Sequence, residues 1–188
     1  MRIISGSAKG KKIFIPVDKK TRPLKNMVRE SIFNILNHSN LLKKEIDKCY
    51  VLDLFSGIGS FGLEAISRGA KKVVFYEDYK PAIHLLTKNI NNLKFDQKAE
   101  VKKINIYNNN SFINLDYKFN IVFIDPPFKD QKIEFLINRL INSKIVNANT
   151  LIILHRHKQS LDNLSDNFKI LREEIYGSSK IVFGLINY

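Results

Sequence analysis

From residue 50 onward, short apolar runs alternate with segments in which apolar residues recur at helical spacing. Short apolar runs predict buried strands, and apolar residues every three to four positions predict amphipathic helices. Their alternation is typical of βαβ units, so we expect an α/β fold built on parallel strands. The predicted strands span residues 50–55, 72–76, 101–106, 119–124 and 150–155, and the predicted helices span 60–68, 81–91, 111–115 and 133–141.

The end of the chain departs from this alternation. Residues 168–175 and 180–186 are apolar segments that only residues 176–179 separate. Because this connection is too short for a helical crossover, we expect the last two strands to pair antiparallel.

The composition is that of one ordinary globular domain. Of the 188 residues, 44% are hydrophobic and 26% are charged, so we expect a single domain, 1–188, with residues 1–22 as an N-terminal arm and 23–38 as a connecting helix. No apolar run is long enough to span a membrane and the N-terminus lacks a secretory signal, so we expect a cytoplasmic protein with no membrane partner. A single cysteine, Cys49, excludes an internal disulfide and a cysteine-based zinc site.

Positive charge is concentrated in the N-terminal arm. Residues 1–29 contain nine Lys or Arg and one acidic residue, whereas the whole chain has 31 basic and 18 acidic residues. AT-biased coding would spread lysine evenly, so the asymmetry favours an RNA-binding arm over a uniformly basic surface. Two short β-type runs, residues 2–5 and 12–15, flank a glycine-containing turn and predict a β-hairpin.

A strand, a glycine loop and a helix follow one another within residues 51–62. Gly57 and Gly59 allow the backbone to approach a ligand that a Cβ atom would displace. Glu77 ends the second strand, twenty residues after Gly57, where its carboxylate can accept hydrogen bonds from two ribose hydroxyls. The pattern predicts an adenosine-bearing cofactor.

The glycine spacing fits both NAD and S-adenosylmethionine. Asp53, inside the strand, favours S-adenosylmethionine because a carboxylate repels a pyrophosphate but attracts the methionine ammonium, directly or through water. The other residues that we expect at the cofactor are Phe55, Ser56, Gly57, Gly59, Glu77, Asp78, Asn110 and Ser111.

The second motif is Asp125-Pro126-Pro127-Phe128, at the end of the fourth strand. The first and fourth strands flank the place where strand order reverses, so this motif is expected beside the cofactor as the catalytic segment. Two prolines leave backbone carbonyls free to accept hydrogen bonds from an amino group. Asp125 adds a carboxylate acceptor, and Phe128 adds a ring on which a flipped base can stack.

Together these motifs resemble the class I aminomethyltransferases, and the N-terminal region narrows the resemblance to the RsmD-type 16S rRNA guanine-N2 methyltransferases. The segments that carry it, besides the two motifs, are residues 2–6, 10–12, 21–24, 28–30, 32–36 and 176–177. The resemblance implies a doubly wound, Rossmann-like, mostly parallel sheet of seven strands with an antiparallel last strand. It also implies S-adenosylmethionine as donor and a guanine of 16S rRNA, of the guanine 966 type, as acceptor, in free rRNA or in the small-subunit ribonucleoprotein.

The sequence departs from the RsmD-type pattern at two places. Asn110-Ser111 stands where similar proteins often carry Asp-Ala near the adenine, and His155 follows the fifth strand, where an acid is common. His155 and His157 lack further ligand spacing, so we predict no metal site.

Two other functions are compatible with the motifs. The first is an adenine-N6 methyltransferase on DNA or RNA, although that chemistry usually presents Asn before Pro-Pro rather than Asp125. The second is an RNA-binding module with a vestigial cofactor pocket, which the intact acidic and glycine positions disfavour.

Five basic residues are candidates for RNA contact, in a protein that we expect to be a monomer. Of these, Arg22 and Arg29 fit three roles: a phosphate clamp, a clamp on the cofactor carboxylate, or a solvated helix face. The RNA-binding candidates are Lys9, Lys11, Lys12, Arg22 and Arg29.

Overall fold

The computed structural model describes residues 1–16, 23–108, 112, 115, 117–164 and 166–187. Within them the strands are β1 Tyr50–Leu54, β2 Lys72–Tyr76, β3 Ala99–Lys102, β4 Ile121–Ile124, β5 Leu151–His157, β6 Phe168–Tyr176 and β7 Ser179–Ile186. The α-helices are α1 Asn26–His38, α2 Ser60–Ser67, α3 Lys80–Leu93 and α4 Ile133–Asn142, and a 3-10 turn spans Ile46–Lys48.

All seven strands belong to one sheet, in the order β3-β2-β1-β4-β5-β7-β6. The pairs from β3 to β5 are parallel, and β7 runs antiparallel to both of its neighbours, β5 and β6. The doubly wound fold predicted from the sequence is therefore confirmed. The order reverses between β1 and β4, so the loops that follow these two strands meet at one edge of the sheet.

Helices cover both faces of the sheet, which explains why the central strands are continuous apolar runs. On one face, α1, α2 and α3 pack on alternate strand residues such as Val51, and the rings of Phe33, Phe61 and Phe123 stack in series with centroid distances of 5.1 and 4.1 Å. On the other face, α4 packs on the intervening residues, such as Leu52.

The third strand lies earlier in the chain than predicted. The predicted span 101–106 is wrong at both ends, because β3 pairs only with β2 and this pairing ends where Tyr76 is opposite Lys102. Ile106 leaves the sheet and is buried in the core on the α4 side. Three of the five residues of the predicted helix 111–115 lie outside the described residues.

The N-terminal hairpin, residues 1–13, is part of the core. It contains one isolated bridge, Arg2 to Lys12, in place of the two predicted strands. Ile3 and Ile13 are buried, and a Cβ on Gly6 would lie 1.8 Å from the carbonyl oxygen of Ser67 in α2. The hairpin of the predicted N-terminal arm is therefore not an appendage to the domain, because its apolar side chains are part of the core and its backbone packs against α2.

Candidate active site

The loop between β1 and α2 folds back onto the end of β2. Its backbone adopts positive φ angles at Phe55 (58°), Gly57 (54°) and Gly59 (83°), a conformation that costs a non-glycine residue such as Phe55 about 1–3 kcal/mol. The loop is held in place because the amide and hydroxyl of Ser56 both donate to the carbonyl of Tyr76, at 3.0 and 3.2 Å. The Ser56 side chain thus fixes the loop rather than projecting from it.

The packing of α3 against this loop requires glycine at position 59, whether or not a ligand binds there. A Cβ at this position would lie 2.5 Å from Cδ1 of Leu86 in α3, and the positive φ angle independently favours glycine. Gly59 is also the N-cap of α2, so the loop delivers the helix N-terminus to this edge of the sheet.

Asp53 lies beneath this loop, at 1% exposure. Its Oδ2 accepts a hydrogen bond of 2.9 Å from the amide of Gly62 in α2, and among the described residues Oδ1 has no hydrogen-bond donor. Burial raises the pKa of Asp53 well above its ordinary value, the Gly62 amide partly offsets this, and the charges of Asp125 and Glu77 raise it further. No cationic side chain among the described residues therefore balances the charge of this carboxylate.

Glu77 is bound by backbone amides at the end of β2. Its Oε2 accepts from Gly57 at 2.7 Å, and its Oε1 accepts from Asp78 at 3.1 Å and Tyr79 at 2.9 Å. Burial raises the pKa of Glu77, while these amides lower it. The carboxylate is half-buried and fixed in orientation, whereas neighbouring Asp78 is exposed and accepts from Asn105 Nδ2 at 2.6 Å.

The catalytic segment predicted from the sequence follows β4 and lies next to the end of β1, since the amide of Asp125 donates to the carbonyl of Leu54 at 3.3 Å. Pro126 is buried and Pro127 is exposed. The Pro127 carbonyl accepts from the Asp130 amide at 2.8 Å, whereas the Pro126 carbonyl has no donor among the described residues. Of the two proline carbonyls, that of Pro126 is therefore the one available to a ligand.

Arg156, near the end of β5, is 2% exposed and supports this segment through hydrogen bonds to its backbone. Its guanidinium donates to the carbonyls of Pro127 at 3.1 Å and Asp130 at 2.5 Å, while Nε lies 2.9 Å from the carboxylate of Asp162. Arg156 is not among the site residues predicted from the sequence. The sequence does contain a signal for it, since Arg156 comes directly after an apolar run that predicts a buried strand. A guanidinium buried there needs several acceptors, which nearby loops have to supply.

Aromatic residues connect the two loops. The ring of Phe55 lies 5.9 Å from that of Tyr107, whose hydroxyl donates to Asp130 at 2.7 Å. Burial and this hydrogen bond raise the pKa of Tyr107. The ring of Phe128 is half-buried and makes edge contacts with His155 at 5.6 Å and His157 at 5.5 Å. A cavity of about 280 Å³ opens beside Phe128 and Arg156.

The predicted RNA contacts divide into two groups. Lys9, Lys11 and Lys12 are exposed on the hairpin, as a role at phosphates requires. Arg29 has 0% exposure, so its prediction as an RNA contact is wrong: its guanidinium donates to the carbonyls of Arg2 at 2.5 Å and Ser60 at 3.3 Å.

Burial lowers the pKa of Arg29, and the nearby charge of Glu64 opposes that effect.

Three predicted site residues lie outside the described residues: Arg22, Asn110 and Ser111.

Glu64 of α2 anchors the hairpin. Its carboxylate accepts from the amides of Ile4 at 2.8 Å and Ser5 at 3.0 Å, pairs with Arg68 at 2.8 Å, and lies 3.7 Å from Nε of Arg29. Since Glu64 is fully buried, this network fixes the lysine-bearing hairpin to the helix that begins at the glycine loop.

No helix among the described residues is long and apolar enough to cross a membrane. Nor do those residues contain a group of three or more His, Cys, Asp or Glu side chains able to hold a metal ion.

Comparison with known proteins places this chain in a family. Residues 1–185 match the model of a family described as conserved hypothetical protein 95. The chain is 33% identical over 183 residues to ribosomal RNA small subunit methyltransferase D of Haemophilus influenzae, covering 94% of this chain and 89% of that protein. The solved structure of the Escherichia coli protein yhhF matches with a TM-score of 0.79 at 29% identity, covering 100% of this chain and 98% of that one.

A more distant neighbour is an RNA methyltransferase of Salinibacter ruber, solved in complex with S-adenosyl-L-homocysteine. It matches with a TM-score of 0.65 at 13% identity, covering 89% of this chain and 95% of that one. At this identity the likeness shows the fold alone.

Proposed function

Because this chain belongs to the RsmD-type methyltransferase family, we propose that it transfers a methyl group from S-adenosylmethionine to the exocyclic N2 of a guanine in 16S rRNA, of the guanine 966 type. The observation that carries the proposal is the set of three carboxylates, Asp53, Glu77 and Asp125, around the glycine loop and the Pro-Pro segment.

The electrostatics of these carboxylates support S-adenosylmethionine over a dinucleotide. Neither Asp53 nor Glu77 pairs with a lysine or arginine among the described residues, and the charges of Asp125 and Glu77 both raise the pKa of Asp53. A pyrophosphate would add negative charge to this site, whereas a sulfonium and an ammonium would neutralise it.

The residues present fit such a cofactor. Oε2 of Glu77 accepts only one backbone amide and so can accept from a ribose hydroxyl. The free Oδ1 of Asp53 is available to the methionine ammonium, directly or through water, and the half-exposed Gly57 lets the backbone approach the ligand. When bound, S-adenosylmethionine supplies an electrophilic methyl group on a positively charged sulfur. The remaining catalytic work falls to the Asp125 segment.

Asp125 and the Pro126 carbonyl are the groups that would hold the target amine. Oδ1 of Asp125 is hydrogen-bonded to His155, whereas Oδ2 has no donor among the described residues. The side chain of Asp125 is 21% exposed. Two acceptors on one amine draw its lone pair out of conjugation with the ring and favour the nucleophilic, pyramidal form. Phe128 offers a face for the base.

The carboxylate also favours guanine over adenine as the acceptor. The edge of guanine next to the N2 amine carries the N1–H donor, so a carboxylate, which only accepts hydrogen bonds, can bind both groups. In adenine, N1 beside the N6 amine is an acceptor and would face the carboxylate lone pairs. An amide suits adenine better, since it can donate to N1 and accept from N6.

The three exposed hairpin lysines, Lys9, Lys11 and Lys12, are the groups proposed to contact RNA phosphates. Their attachment to α2 through Glu64 gives them a fixed position relative to the glycine loop. Basic residues fixed to the catalytic domain can position the RNA as well as attract it.

The test is transfer of a labelled methyl group to 16S rRNA, free and in small subunits isolated from cells that lack this gene, followed by mass mapping of the modified nucleotide. We expect N2-methylguanine with the wild-type protein and a loss of at least about 100-fold in rate with Asp125→Ala, at unchanged cofactor affinity. N6-methyladenine as the product would overturn the guanine proposal. Full turnover by Asp125→Ala would remove Asp125 from the chemistry.

A further inference from the structure

His155 makes a hydrogen bond from each ring nitrogen to a different strand or loop. Its Nδ1 lies 2.7 Å from Oδ1 of Asp125, and its Nε2 lies 2.9 Å from the hydroxyl of Ser179, at the start of β7. The side chain of His155 is 9% exposed, and its partners are 30 and 24 residues away in sequence. A three-residue chain thus leads from the buried antiparallel end of the sheet to the proposed acceptor of the amine.

We propose that His155 is a positioning residue for Asp125: it fixes the carboxylate so that Oδ2 faces the substrate amine. The inference rests on the proposed function for the identity of the substrate, but the contact between the two side chains can be tested without it.

The direction of the hydrogen bonds follows from the chemistry of the groups. An ionised carboxylate can only accept, so Nδ1 carries a proton and donates to Asp125 whether the ring is neutral or charged. In the neutral ring, a hydroxyl proton from Ser179 donated to Nε2 keeps the remaining ring proton on Nδ1. The hydroxyl of Ser179 can donate or accept, so it is compatible with the tautomer that Asp125 imposes, and Ser179 is itself buried, at 4% exposure.

A fixed carboxylate matters because Asp125 has to meet the amine with one particular oxygen. Methyl transfer forms the bond from N2 to the methyl carbon, breaks the bond from that carbon to sulfur, and leaves one surplus proton on the amine. Oδ2 of Asp125 is the oxygen without a donor among the described residues, so it can hold the amine and accept that proton. Without His155, the carboxylate can rotate and present its oxygens in other directions.

The contact with Phe128 extends the same role. The rings of His155 and Phe128 form a T-shaped contact, with a centroid distance of 5.6 Å and an interplanar angle of 82°. One imidazole therefore contacts both the proposed amine acceptor and the proposed base platform. Arg156, the next residue, holds the carbonyl of Pro127, so the end of β5 supports this segment at several points.

Three substitutions at His155 separate positioning from packing. Phe keeps the aromatic bulk but removes both hydrogen bonds. Asn places an amide N–H near the position of Nδ1, and Gln places it near that of Nε2.

For methyl transfer at saturating cofactor, we expect His155→Phe to lower kcat about 10- to 100-fold, the scale of a misplaced reacting group. The KM for rRNA and the Kd for S-adenosylhomocysteine should stay within about threefold, since neither depends on the orientation of one carboxylate. His155→Asn should recover most of the lost rate, and His155→Gln should not. His38→Phe, at an exposed histidine that ends α1, is the control and should match the wild type.

A second measurement is independent of activity. In the imidazole NMR spectrum of the wild-type protein, the Nδ1 proton of His155 should be protected from solvent exchange, and it should lose that protection in Asp125→Ala. Equal kcat in His155→Phe and the wild type would overturn the proposal, as would losses in the Asn and Gln variants that simply follow their thermal stability. A protected proton together with no methylation of rRNA by the wild-type protein would overturn the proposed function and leave the contact with Asp125 standing.

Discussion

Replacing Asp53 by Asn should stabilise the protein without ligand and weaken its binding of S-adenosylmethionine. Asn has the same shape and keeps an oxygen that can accept from the Gly62 amide, the one side-chain hydrogen bond that Asp53 makes among the described residues. It removes a buried charge that has no cation and lies near two other acids. We expect a gain of about 1 kcal/mol in the free energy of unfolding at neutral pH.

The gain in free energy of unfolding from Asp53→Asn should depend on pH, in a direction that the raised pKa of Asp53 determines. Because the pKa of Asp53 is raised in the folded protein, the folded state binds this proton more tightly than the unfolded state. The contribution of Asp53 to stability is therefore present at acidic pH, below its unfolded pKa, and is lost as pH rises through the folded pKa. The gain in Asp53→Asn should grow over the same interval and vanish at low pH.

The same change removes a charge-assisted contact with the cofactor. Loss of a hydrogen bond to a charged group costs about 1.5–3 kcal/mol, or about 10- to 150-fold in Kd. Calorimetric titration with S-adenosylmethionine and urea unfolding across pH measure the two effects. Unchanged affinity would remove Asp53 from the cofactor site, and a variant less stable than the wild type at neutral pH would refute the electrostatic reasoning.

Three further changes test separate parts of the site. Glu77→Ala should weaken binding of S-adenosylmethionine by about 1–3 kcal/mol in calorimetry, and unchanged affinity would exclude a ribose contact. Arg29→Met should lower the free energy of unfolding by about 3 kcal/mol, since it breaks a buried charge network, and a variant as stable as the wild type in urea would contradict that. Replacing Lys9, Lys11 and Lys12 with Gln should weaken rRNA binding and reduce its salt slope by up to about one unit per contact, with no change in cofactor affinity; an unaltered slope would place the RNA elsewhere.

The sheet was predictable because its signals are local. The strand over residues 72–76 was predicted at its observed bounds, and the antiparallel end followed from the short connection at 176–179. The error at β3 has a physical origin, since an edge strand ends where its partner ends. The apolar pattern of the β3 segment by itself gives no information on where β2 ends.

The sequence was sufficient to predict that the glycine loop and the Pro-Pro segment lie side by side, because each consists of consecutive residues after a strand. The candidate site was not predictable where it depends on partners distant in sequence. Arg156 and His155 both lie at the end of β5, directly after its apolar run, and their hydrogen-bond partners come from residues 125–130, 162 and 179. Sequence spacing gives no distance between these groups, so only the fold shows that the end of β5 supports the Pro-Pro segment.

The basic N-terminus shows why a count of charges could not assign roles. Arg29 and the hairpin lysines contribute equally to the local excess of charge, but Arg29 is buried against backbone carbonyls and Glu64, whereas Lys9, Lys11 and Lys12 face solvent. A buried guanidinium with protein acceptors cannot bind phosphate without first breaking those contacts. The positive charge therefore serves two purposes: one arginine fixes the hairpin to α2, and this attachment holds the three lysines in a fixed position on the catalytic domain.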